Sequence, residues 1–229
     1  ACNNKVFDLR FFCETFDDHN QKWNVKFKDI HKIDCCSYLE KLNGYSALYM
    51  PWATDLLPEE ITEQSINEPR ENKIYFVGTI DKVITPHPFW GLKLDNYSKI
   101  MRFKQACDEN NIPFEIIDYS TNEVSCEDYM KIYKKSLLCP DIRNPHKLEV
   151  GYIPCRIFKS ISYGRLGMTD SKAVYDFFDN LLVYHTDPYY LFYEGMKWKD
   201  NKKMILESLN LVKNNHTYIN RINALKQSL

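Results

Sequence analysis

The stretch "GYIPCRIFKSISYGRLGMTDS", residues 151–171, opens and closes a helix within one short span and then returns to a strand. Pro154 suits the first turn of that helix, because its missing N–H would find no intrahelical partner there, and Gly164 suits the left-handed residue that ends it. The run "RLGMT" (165–169) then reads as a strand. A helix running so directly into a strand is half of a βαβ unit, the building block of a parallel sheet.

The same alternation extends outward from this stretch. The strand candidates are "KIYFVGTI" (73–80), "PFEIID" (113–118), "SLLCP" (136–140), "RLGMT" and "NLLVYHT" (180–186). Between them lie helical patterns. Ile100, Phe103, Ala106 and Cys107 form one stripe over 95–110, behind an Asp95 or Asn96 cap and before an Asn110-Asn111 stop. Ser125 followed by Asp128 resembles a capping box for a helix over 125–135. Ser171 caps a short helix through Phe178, Asp187-Pro188 starts another, Asp200 caps a longer one with Ile205, Leu209 and Val212, and residues 217–229 read as a last helix. The expected fold is α/β: a Rossmann-like parallel sheet with flanking helices over 73–229.

The first seventy residues lack a complete alternating set, although "VFDLRFFCETF" could hold a strand and "DCCSYLEKL" a helix. Pro51, Pro58 and Pro69 punctuate residues 49–72, which places a linker at 56–72 and leaves 1–55 as the remnant or end of an amino-terminal domain. There is no internal repeat or low-complexity tract.

Composition narrows the function classes. With 44% hydrophobic residues the chain can bury a sizeable core. Thirty Lys plus Arg stand against thirty-one Asp plus Glu, so no global basic field points to nucleic acid or an anionic membrane, and any anion site must be local. No apolar run reaches the roughly 18–20 residues of a membrane span. The eight cysteines are scattered, without a Cys-x-x-Cys pair or zinc spacing, and read as buried reduced thiols of a reducing, cytoplasmic compartment. On that reading the sequons at Asn96 and Asn215 are chance matches.

In an open parallel sheet ligands bind beyond the carboxyl ends of the strands. That rule selects the loop Gly78-Thr79-Ile80-Asp81, where a glycine permits close backbone approach to a phosphate or sugar, or simply makes a tight strand exit. It also selects 140–154, which carries Arg143, His146 and Lys147 and leads through Tyr152 and Ile153 into the helix bearing Arg156 and Lys159. Cations are unfavourable at a helix start, so Arg156 and Lys159 there make sense if an anion compensates them; the alternative is that they meet solvent or carboxylates. No Gly-x-Ser-x-Gly elbow, dinucleotide fingerprint or P-loop occurs, and the six histidines form no metal pair. The aromatic run "DPYYLFYEGMKW" (187–198) reads as a core face rather than a stacking platform.

The run from "GYIPCRIFKS" through "VYDFF" to "DPYYLFY", with "YMPWATD" and "IYFVGTI" upstream, resembles the carboxyl-terminal, donor-binding domain of GT-B glycosyltransferases, in particular the group related to spore-maturation proteins of the CgeB kind. The resemblance covers residues 45–229. It implies transfer of a sugar from a nucleoside diphosphate sugar to an unknown glycan or other hydroxyl acceptor, without a cofactor or bound metal. It places the diphosphate at the helix start near 152–156, with Gly78, Thr79, Arg143, His146, Tyr152, Ile153, Arg156 and Lys159 as donor-site candidates; the catalytic residues stay unassigned. The two glutamates of many retaining relatives fall on Gly151 and Lys159 here, which turns Lys159 toward phosphate rather than ribose. The region before residue 56 is shorter than a full first domain, so a missing amino-terminal domain is expected as a partner. The alternative class is a non-catalytic Rossmann-like module that binds a nucleotide or a partner protein.

Overall fold

The computed structural model describes residues 32–34, 47–86, 93–118, 125–149 and 151–228. "VFDLRFFCETF" lies outside these, as does all of "DCCSYLEKL" but Asp34. Nine strands are described: β1 (Lys32–Asp34), β2 (Ala47–Tyr49), β3 (Ile74–Val77), β4 (Lys82–Pro86), β5 (Lys93–Asp95), β6 (Phe114–Ile117), β7 (Cys139–Asp141), β8 (Gly167–Thr169) and β9 (Val183–Tyr184). The described α-helices are α1 (Tyr97–Glu109), α2 (Cys126–Lys135), α3 (Pro145–Glu149), α4 (Cys155–Ser162), α5 (Lys172–Phe177), α6 (Pro188–Trp198), α7 (Lys202–Asn215) and α8 (Tyr218–Ser228).

β3 pairs in parallel with β6, and β7, β8 and β9 form a parallel three-stranded set. A side chain joins the two sets. Leu137 N–H donates to the Lys73 carbonyl at 2.8 Å, and Tyr75 N–H donates at 3.0 Å to the hydroxyl of the buried Ser136. In a regular parallel pair the Leu137 carbonyl would accept that second bond, so Ser136 substitutes for one backbone rung. The resulting order is β6–β3–β7–β8–β9, a doubly wound arrangement of the Rossmann-like kind in which the order of strand addition reverses between β3 and β7.

Helices cover both sides. A Cβ on Gly167 would meet Leu182 and Ile161 of α4, whereas Gly195 of α6 lies against Met168, the next residue of β8. Successive strand residues point to opposite faces, so α4 and α6 flank β8 on opposite sides. α6 packs on α1, and α4 packs on α2 and α7. All four residues of β3 are buried, as a strand covered on both faces requires.

Local chemistry explains the element ends. Ser125, Ser171 and Asp187 accept N–H bonds as expected of caps. α7 is capped by Asn201, which accepts from Met204 N–H at 3.1 Å, one residue beyond the expected Asp200. Pro154 stands at the N-cap of α4 rather than inside its first turn, and Gly164 follows the helix with φ +79°. An antiparallel pair, β4 with β5, separates β3 from α1; its strands are too short to show alternation in sequence. Cys107 and Cys139 are buried free thiols, pushed up to about 12 by burial, and Cys155 is a half-buried one. Among the described residues no helix is long and apolar enough to cross a membrane.

Residues 50–72 are integrated with the rest. Ile61, which follows the 3-10 turn Pro58–Glu60, and Ile66, within the 3-10 turn Glu63–Asn67, lie in the stretch read from its prolines as a linker and belong to the main hydrophobic cluster. Buried Arg165 donates to the carbonyls of Ser65 and Glu68, which fixes the second of these turns against the start of β8. The preceding segment, 50–55, is clasped by the last helices: Thr54 N–H donates to His216 O at 3.1 Å, and Arg221 of α8 donates to the Pro51 and Trp52 carbonyls at 2.8 and 2.9 Å.

Candidate functional site

A polar cleft of about 150 Å³ opens at the carboxyl ends of β3 and β7. This is the reversal point of the strand order, where the loops leaving two neighbouring strands diverge and leave a crevice. Thr79 and Asp81 come from the loop after β3, and Ile142, Arg143 and Asn144 from the loop after β7. Asn96, Lys147, Tyr152 and Arg156 complete its walls together with Trp52 from the clasped segment.

The two loops are tied to each other. Asn96, at the start of α1, accepts from Asp81 N–H at 2.7 Å and donates to the Thr79 carbonyl at 3.0 Å. The helix cap falls instead to Asp95, which accepts from Ser98 N–H at 3.2 Å. Asn144 donates to the Asp81 carboxylate at 2.8 Å and so bridges the β3 and β7 loops. Asp170, at the end of β8, accepts the Arg143 N–H through both oxygens at 3.1 and 3.2 Å and pairs with Lys99 of α1. Burial lifts the Asp170 carboxyl to about 6, against the pull of Lys99.

The cations rest on a buried carboxylate. Asp141 Oδ1 lies 2.8 Å from Arg143 Nη2 and 3.7 Å from Arg156 Nε, while Oδ2 accepts from the Thr169 hydroxyl at 2.9 Å. The Arg143 contact is close but its N–H points off the oxygen, so it is an ion pair rather than an aligned hydrogen bond. Arg143 is only 4% exposed, yet its Nε has no hydrogen-bond partner among the described residues. Its guanidinium sits 5.0 Å from the Tyr152 ring centre, and Lys147 Nζ sits 4.5 Å from the same ring. Arg156 lies 4.8 Å from the Phe76 ring centre, pressed against Gly78 so closely that a Cβ there would be 2.2 Å from Nη2. Tyr152 is pushed up to about 12 by burial, and its hydroxyl accepts from Trp52 Nε1 at 3.0 Å.

Of the residues anticipated from sequence, Thr79, Arg143, Tyr152 and Arg156 line the cleft, and Gly78 supports Arg156 from behind. Ile153 joins the hydrophobic core. His146 stands on α3 outside the lining set. Lys159 pairs with Asp55 at 3.1 Å and is likewise not part of the lining. Arg156 and Lys159 each lie beside a carboxylate, Asp141 and Asp55, which is the alternative to an external anion that their sequence positions left open. Trp52 and Asn96 stand outside the two selected loops and reach the cleft from elsewhere in the chain. Asp81, Ile142, Asn144 and Lys147 are legible as members of those loops.

Among the described residues no group of three or more His, Cys, Asp and Glu is placed to share a metal ion. Fold and site together define an α/β protein with a cation-lined crevice at the reversal point of its parallel strands. Compared with family models, curated proteins and solved structures, the chain matches none.

Proposed function

We propose that the chain is the donor-binding portion of a GT-B-type glycosyltransferase, with the diphosphate of a nucleoside diphosphate sugar seated in the cleft. The observation that carries this reading is Arg143: a guanidinium almost wholly buried, facing a cleft beside two further cations, with a donor nitrogen that no described residue satisfies. A buried charged donor left unbonded is costly, and a phosphate oxygen would remove that cost. In transfer, the bond between the sugar's anomeric carbon and the diphosphate oxygen breaks, and the diphosphate leaves with the electron pair. Arg143, Lys147 and Arg156 would stabilise the charge that develops on it, while the acceptor hydroxyl oxygen bonds to the anomeric carbon and another group takes its proton.

Thermal melting with UDP, GDP, CDP and their sugars tests the reading, since a ligand bound only by the folded state raises its stability by mass action. Arg156→Ala is expected to weaken the stabilising nucleotide by about 1.5–3 kcal/mol, the range for a charge-assisted hydrogen bond. No shift with any probe at millimolar concentration, or unchanged affinity in the variant, refutes it. A second reading, a nucleotide- or partner-binding module without transfer, is favoured by one feature: Asp81 and Asp141 already hold Asn144 and Thr169, respectively. Tight nucleotide-sugar binding with no release of nucleoside diphosphate, with or without hydroxyl acceptors, would select it.

A further inference from the structure

We propose that Trp52 is the specificity-determining residue of this cleft, selecting ligands that carry a planar ring beside their phosphates. The inference rests on the nucleotide-binding reading and adds which part of the ligand is read, and by what.

Trp52 reaches the cleft from outside the parallel strands, on a segment held from several sides. Arg221 grips the carbonyls of Pro51 and Trp52, Thr54 N–H is bonded to His216 O, and the Thr54 hydroxyl meets the Ser162 hydroxyl at 2.7 Å. The side chain is oriented by its bond from Nε1 to the Tyr152 hydroxyl. Indole has a single donor and no acceptor. With that donor held by Tyr152, Trp52 lines the cleft without a further side-chain donor to give it. Arg143, Lys147 and Arg156 supply the cationic part of the lining.

The cleft, at about 150 Å³, is about half the size at which pockets for whole drug-sized ligands begin, roughly 300 Å³. It therefore holds one end of a ligand while the rest lies along a wall. A charged end on the cations and a flat ring on the indole is the division a nucleotide presents, and aromatic stacking accepts any base.

The test is titration calorimetry of the full chain with UDP and with inorganic pyrophosphate, which shares the charge and lacks the ring. Trp52→Leu should weaken UDP about tenfold or more while changing pyrophosphate by less than about twofold. Trp52→Phe, which keeps a ring but loses the bond to Tyr152, should recover most of the UDP affinity. Equal losses for both probes, or none for either, overturn the role of Trp52 and leave the nucleotide reading standing. If the unaltered chain binds neither probe, the nucleotide reading falls and this proposal with it.

Discussion

Gly78 and Gly164 both have positive φ, +153° and +79°, so alanine is expected to cost about 1–3 kcal/mol at either position. Their neighbours differ in kind. At Gly164 the new methyl would lie 2.5 Å from the backbone of Ser65, which cannot move without unseating the 3-10 turns. At Gly78 it would displace the tip of Arg156, a flexible side chain that belongs to the cleft. Gly164→Ala should therefore lower the melting temperature more yet keep the stabilisation by nucleotide, whereas Gly78→Ala should lose that stabilisation. Melting curves with and without UDP read both. A second pair of residues acts through protons. Burial raises Asp170 from 3.8 to about 6, and burial, with Arg221 adding to it, lowers His216 from 6.5 to about 4. Between about pH 4 and 6 the folded chain keeps a proton on Asp170 that the unfolded chain has released, so this contribution to stability falls as pH rises. Across the same window the unfolded chain holds a proton on His216 that the folded chain excludes, so this contribution rises. Each shift is worth about 3 kcal/mol, and the opposed slopes nearly cancel. In His216→Phe the Asp170 slope should stand alone: urea melts should show the variant losing stability relative to the parent from pH 4 to 6. A constant difference between them would contradict the assignment.

Ser136 shows how much a single connection decides between elements. Its hydroxyl joins β3 to β7, and Ser136→Ala would leave the buried Tyr75 N–H without its acceptor, an expected loss of about 1–3 kcal/mol in chemical denaturation. Substitution by cysteine, a poorer acceptor of similar shape, should fall between. This joint has no sequence signature, because a hydroxyl standing in for a carbonyl leaves the hydrophobic pattern unchanged. The elements it joins were legible for the opposite reason. "KIYFVGTI" and "PFEIID" are apolar runs bounded by breakers, and Ser125, Ser171 and Asp187 cap through their own side chains, so local chemistry alone marks them. Precision was lost where local signals compete. "NLLVYHT" narrows to Val183–Tyr184, and Asp200 yields its cap to the adjacent Asn201.

The site was legible to the extent that it follows from strand order. Once β3 and β7 were placed as parallel strands, Thr79 and Arg143 had to emerge at their carboxyl ends, and Arg156 followed from its helix. Lys159, only three residues further along α4, is directed away because Asp55 waits on the clasped segment, and that segment's path cannot be read from periodicity. The same path brings Trp52 across to Tyr152, 100 residues away, and into the grip of Arg221, 169 residues away. This clasp has a consequence for biosynthesis. A ribosome makes Trp52 169 residues before Arg221, so the parallel strands can pair on the nascent chain while the tryptophan wall still lacks its anchor. Long-range closure of this kind comes late in folding. Nascent chains stalled so that residue 221 is still inside the exit tunnel are expected to be protease-resistant over β3 to β9 but blind to nucleotide, and to gain ligand-dependent protection once α8 has emerged. Ligand capture would then wait for α8.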